Sequence, residues 1–171
     1  MKKFGILIVL IMSLTSCTQT KIAYIDVEEI MKEYKGTKET EAVMKVKSDK
    51  LKAELDSLVV DWETKARAYQ QKAPTMSAKK RAEREQVLKQ EQQAIGQRQQ
   101  VVQQQVQAEG QESLKVLSKE INDFVKNYAT EKGYNFVLGT SGDSGTVMYG
   151  EEKADITDDV LVQLNKSYKA K

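Results

Sequence analysis

The 171-residue chain contains no histidine. That absence excludes a Ser-His-Asp arrangement, because the imidazole that takes the serine proton is missing. It also removes the donors on which the usual imidazole-based zinc sites rely. The Gly-Asp-Ser-Gly run at 142–145 is therefore read as a turn rather than as the surroundings of a nucleophilic Ser144. Its loop joins two expected strands and lacks the Gly-Lys-Ser/Thr ending of a phosphate loop. Cysteine occurs once, at Cys17, which excludes an internal disulfide. Proline occurs once, at Pro74, so the chain has a single strong helix breaker of that kind. The acidic pairs Glu28/Glu29, Glu151/Glu152 and Asp158/Asp159 are sequence neighbours, which do not face each other on a helix. No metal-ligand set and no catalytic set emerges, and neither an enzyme nor a cofactor is expected.

What is present begins with the N-terminus. Lys2 and Lys3 precede an apolar run from Phe4 to Met12, too short to span a membrane as a helix and typical of an export signal. Leu14-Thr15-Ser16-Cys17 resembles a bacterial lipobox. Such a signal is cut before the cysteine, whose thiol receives diacylglycerol and whose new amine is acylated. Several acyl chains anchor a protein stably where one binds only marginally. The formal charge of +2 resides in Lys2 and Lys3, so the chain from Cys17 onward is balanced. Balance and export together argue against a nucleic-acid binder.

Three regions follow. In KIAYIDVEEIMKEY, residues 21–34, Ile22 to Ile25 read as a short strand. Asp26 can cap the helix after it, with Glu28 and Glu29 in the first turn and Ile30, Met31 and Tyr34 on an apolar face. From about Thr37 to Glu131 little breaks a helix except Pro74. Leu51, Leu55, Leu58, Trp62, Ala66 and Tyr69 form one stripe before the proline. Leu88, Ile95 and Val102 form another after it, flanked by Val87, Ala94 and Val101. The residue before a proline avoids helical geometry, and Ser77 can cap a restart. The simplest shape is an antiparallel hairpin with its tip near residue 74; one kinked helix is the alternative. Eleven glutamines between Gln86 and Gln107, the helix-weakening Gly96 and Gly110, and Lys50, Arg98 and Gln105 near seam positions predict loose packing in places. In the third region Gly133 is expected to close the long helix in a left-handed cap. Tyr134–Leu138 and Thr146–Tyr149 read as strands, and Thr157 as the cap of a last helix that carries Val160, Leu161, Leu164 and Tyr168. The expected fold class is α+β, a small β-rich head with at least three strands and a long α-helical hairpin. Such a head has open edges and little core, which self-association would remedy.

The largest charge feature is the hairpin tip. Lys65, Arg67, Lys72, Lys79, Lys80, Arg81, Arg84 and Lys89 are opposed only by Glu83 and Glu85. Anionic lipid headgroups or an acidic protein surface fit that charge.

KIAYIDVEEIMKEY, the long broken helical region and ATEKGYNFVLGTSGDSGTVMYGEEKADITDDVLVQLN, taken in order, resemble the Skp/OmpH family of periplasmic chaperones for outer-membrane proteins. The resemblance is carried by Ala129, Glu131, Gly133, Tyr134, Val137 and Leu138, then by Val147, Met148 and Tyr149. Asp155, Ile156, Thr157, Val160, Leu161, Leu164 and Asn165 complete it. It implies a jellyfish-like homotrimer, with a trimerisation head and helical tentacles that hold unfolded outer-membrane β-barrel proteins in a cavity without ATP. The corresponding division is a signal peptide at 1–16, a lipidated tether at 17–20, head at 21–35 and 116–171, and arms at 36–115. Met44, Leu51, Leu55, Trp62, Tyr69 and Met76 are the candidate client-binding residues. The chain departs from the family's strongly basic, soluble members in being balanced and in carrying Cys17, which places it at a membrane facing the periplasm of a Gram-negative bacterium. The rival reading is a non-chaperone trimeric structural or assembly protein of the cell envelope.

Overall fold

The computed structural model describes residues 20–141 and 147–169. The export signal at 1–16, Cys17 and its tether, and Ser144 in the glycine-rich loop lie outside the described residues. The chain divides into two compact units, one of 1–33 with 121–167 and one of 34–120 with 168–171.

In the first unit, β1 (Ile22–Asp26) pairs in parallel with β2 (Phe136–Thr140), Ile22 opposite Phe136 and Asp26 opposite Thr140. Parallel neighbours need a long crossover, and here the connection between them contains the whole helical hairpin. Lys21 fixes the register. Its backbone N–H donates to Asn135 Oδ1 at 2.7 Å, its carbonyl accepts from Asn135 N–H at 2.8 Å, and its ammonium lies 3.9 Å from the Tyr134 ring centroid. Asp26 ends the strand and caps α1 (Val27–Glu33), its Oδ1 accepting the Glu29 N–H at 3.0 Å. This is the cap expected from sequence.

The two long helices are α2 (Lys35–Lys72) and α3 (Ala78–Lys132), separated by a 3-10 turn at Ala73–Thr75. Ser77 caps α3 as expected, its carbonyl and hydroxyl accepting the Arg81 and Lys80 N–H groups at 3.0 and 3.4 Å. Pro74 acts differently from the expectation. Ala73 before it stays helical (φ −53°, ψ −40°), and the chain turns extended only at Met76 (ψ 146°). A proline at the start of a 3-10 turn gives up an N–H that needs no partner there, so the break falls two residues later. At the other end of α3 Gly133 is left-handed (φ +72°), and the N–H groups of Tyr134 and Gly133 reach back to the carbonyls of Ala129 and Thr130. That is the Schellman closure.

Three expectations for the C-terminal part are corrected. Among the described residues the sheet has two strands, and Val147–Gly150 form no strand. The second edge of β1 is instead met at one point by Asp155, which bridges Tyr24, with Ile156 N–H donating to the Tyr24 carbonyl at 3.0 Å. Gly150 lies against the Tyr24 ring, where a Cβ would come within 2.3 Å of Cε1. Met148 and Tyr149 are left 97% and 84% exposed. β2 also starts two residues later than the Tyr134 expected, because Tyr134 and Asn135 serve the helix closure and the clamp on Lys21.

Thr157 is likewise not the helix cap. In α4 (Thr157–Ser167) the Val160 N–H bonds to the Ile156 carbonyl, so the helix ladder starts one residue earlier. The Thr157 hydroxyl, in a residue 4% exposed, accepts the Asp26 N–H at 2.8 Å and donates to Asp155 Oδ1 at 2.6 Å. It ties α4 to the end of β1. Thr157→Val keeps the shape and removes this link, leaving a sheltered N–H without its acceptor. The expected loss is about 1–3 kcal/mol, read as a lower urea midpoint with unchanged slope.

The core of this unit is small. Ala23, Ile25, Ile30, Ile156, Val160 and Leu164 are each at most 5% exposed. The other face of the sheet is open, with Ile22, Phe136 and Leu138 at 51%, 59% and 42%.

Candidate functional site

The hairpin is antiparallel. As residue numbers rise along α2 they fall on the facing helix: Lys47 meets Glu109 at 2.6 Å, Glu54 meets Arg98 at 3.7 Å, and Tyr69 OH donates to Glu85 Oε1 at 2.5 Å. Trp62 adds an indole N–H bond to the Leu88 carbonyl at 2.9 Å. The ion pairs are half-exposed and screened by solvent, and set register more than stability. Lys47, with help from Gln105, holds the Glu109 carboxyl below its ordinary range. Its contribution is therefore present above pH 4.5 and lost as pH falls through the lowered value. Arg98 and Gln105 interrupt an apolar seam, and both are used in polar bonds to Glu54 and Glu109.

Met44, Leu55, Trp62, Tyr69 and Met76 are half-buried and Leu51 is buried, on the side of α2 and of the turn that shelters against α3. Packing between the arms stays sparse, since Leu51, Val102 and Leu117 are the buried large apolar residues of this unit apart from Tyr34. A second set is exposed to solvent. Val43, Val46, Leu58 and Val60 on α2 are 45–70% exposed. On α3 Val87, Val101, Leu114 and Val116 are 42–56% exposed. The reading from sequence placed Leu58 on the stripe and Val87 and Val101 beside it, and did not single out Val43, Val46, Val60 or Val116. The signal for the exposed valines is a position beside the stripe, as with Val43 beside Met44.

The tip cluster divides in two. Lys65 is bound to Asp61 at 2.8 Å and Glu91 at 2.9 Å, which raises its pKa, Asp61 contributing most. Arg67 meets Glu63 at 3.5 Å. Among the described residues Lys72, Lys79, Lys80, Arg81, Arg84 and Lys89 are exposed and make no ion pair. The turn thus gathers six cations whose charge is left to solvent.

At the base of the hairpin, Tyr34 OH donates to Glu120 Oε1 at 2.5 Å and Tyr168 OH to Glu39. The two rings meet edge to face, centroids 5.5 Å apart. The Glu39 carboxylate, then desolvation, pushes the Tyr168 phenol up to about 12. Burial and Glu120 raise Tyr34 as well. Among the described residues no group of three or more Cys, Asp and Glu side chains could hold a metal, and no helix is long and apolar enough to cross a membrane.

These features define a class: a long α-hairpin inserted between the two strands of a small parallel sheet, with exposed aliphatic residues along both arms. The family model for outer membrane protein (OmpH-like) matches residues 21–164, and the chain belongs to that family. A crystal structure of an OmpH-like protein from Caulobacter crescentus, a candidate outer membrane chaperone, shares the fold with a TM-score of 0.80 and 19% identity. The match covers 90% of this chain and 89% of that one. No curated protein sequence matches the chain significantly.

Proposed function

We propose that the chain is an ATP-independent holdase of the periplasm, which binds unfolded outer-membrane proteins between its arms. The observation that carries this reading is the exposed aliphatic set along both arms, from Val43 to Val60 and from Val87 to Val116. Barrel strands alternate apolar and polar side chains. Dispersed aliphatic contacts cover the apolar ones without demanding one geometry, and bendable surfaces of this kind bind promiscuously. The stripe of Met44, Leu51, Leu55, Trp62, Tyr69 and Met76 holds the arms in register and adds to the client surface where they part.

The working form is a homotrimer joined through the head at 21–35 and 116–171, with arms at 36–115 enclosing the client. Support for self-association comes from the uncovered sheet face at Ile22, Phe136 and Leu138 and from the exposed Met148 and Tyr149. Residues 1–16 are removed, and acyl chains on Cys17, through the tether at 17–20, hold the protein at a membrane. The six solvated tip cations suit anionic lipid headgroups.

The test is aggregation of an outer-membrane β-barrel protein diluted from urea, followed by light scattering. One trimer per client is expected to suppress scattering. A chain that neither binds the unfolded barrel protein nor slows its aggregation leaves the holdase reading without support. Replacing Val46, Val60, Val87 and Val101 together by serine should reduce suppression while the thermal midpoint changes little, since all four side chains are at least 42% exposed.

A further inference from the structure

The base of the hairpin contains a cavity of about 460 Å³, within the range of small-molecule pockets. Val43 and Met44 of α2 and Val116 and Leu117 of α3 give it an apolar lining. Glu39, Glu109, Glu112 and Glu120 also line it, and no lysine or arginine does. Glu39 and Glu120 are held by the hydroxyls of Tyr168 and Tyr34, and Glu109 by Lys47 and Gln105. These bonds fix the carboxylates before any ligand arrives, so little ordering is required on binding. Glu112 is looser, 3.9 Å from Lys115, with side chains 67% and 80% exposed.

We propose that this cavity binds an apolar side chain flanked by lysine or arginine in an unfolded client polypeptide. The inference rests on the holdase reading above and specifies its chemistry at one place. The apolar wall takes the aliphatic or aromatic group and the stem of the neighbouring cation, whose head stays at the carboxylates, as amphipathic side chains do.

The experiment uses the full chain and two fluorescein-labelled peptides, Leu-Lys-Phe-Lys-Leu and Leu-Glu-Phe-Glu-Leu, with binding read by anisotropy. The lysine peptide is expected to bind at least about tenfold more tightly, the yield of roughly one surface charge pair. Glu112→Lys should remove most of that preference. Ser113→Phe, which fills the cavity from its lining, should abolish binding of the lysine peptide with unchanged circular dichroism. Equal binding of the two peptides, or full binding by the filled variant, overturns the proposal. So does a cavity closed to peptide because a second copy of the chain occupies it. Suppression of barrel-protein aggregation is measured on the same samples. A chain that suppresses aggregation but does not select the lysine peptide loses the cavity proposal alone. One that selects the peptide but holds no barrel protein loses the holdase reading alone.

Discussion

A Phe136→Glu chain is expected to sediment as a monomer at concentrations where the unaltered chain forms the proposed trimer. Side chains alternate along each strand, so Ala23 and Ile25 face the core, while Ile22 and, directly across the ladder, Phe136 face the other way with Leu138. Parallel sheets are normally covered on both faces. Here the second face keeps Ile22 at 51% and Phe136 at 59% exposure, and Met148 and Tyr149 are more open still. A carboxylate in that patch would lose water on assembly without gaining a partner, and symmetry repeats the loss in each subunit. Even about 4 kcal/mol in total raises the dissociation constant roughly a thousandfold. Phe136→Leu, which keeps the patch apolar, should remain a trimer. A Phe136→Glu chain that still sediments as a trimer would place the interface elsewhere than this sheet face.

What could be read in the sequence was what short-range physics decides. Asp26 caps the helix that follows within three residues, Ser77 restarts a helix after the lone proline, and Gly133 takes the positive φ that closes α3. The antiparallel hairpin followed from two stripes separated by one breaker, and its weak packing from the glutamines and seam cations. Thr157 was misread because its hydroxyl answers to Asp26, 131 residues away, rather than to its own helix. The strand expected at Thr146–Tyr149 failed at Val147–Gly150 for a similar reason. Alternating apolar residues form a strand only where an edge is available, and the second edge of β1 carries the bridge to Asp155 instead.

The exposed apolar surface proposed for clients was legible in composition and not in face. Periodicity identifies an apolar stripe, but the stripe with the largest residues is the one the partner arm shelters. The exposed valines lie beside it, and how far each is covered is decided only when the facing helix is in place. At the tip, the eight cations were all visible in sequence. Their separation into two bound and six solvated depends on where Asp61, Glu63 and Glu91 fall around the helices.

Ile30→Ala is expected to cost about 2–5 kcal/mol, the range for emptying a buried aliphatic site. Ile30 is 0% exposed on a helix of only seven residues, and its unit is centred on few other buried side chains, chiefly Ile25, Ile156, Val160 and Leu164. A core of that size supplies roughly 3–5 kcal/mol in total, so the substitution consumes most of it. Hydrogen exchange resolves the effect by region. Amides of β1, β2 and α4 should lose protection in the variant, whereas those around Leu51 and Val102, which pack between the arms, should keep theirs. If assembly depends on the sheet face, the same variant should also lose the trimer, since β1 and β2 would no longer present Ile22 and Phe136 side by side. Protection retained throughout the sheet would mean that partner copies, and not this core, supply its stability. In that case Phe136→Glu should unfold the sheet as well as dissociate it, and the two variants together separate the contribution of the core from that of the interface.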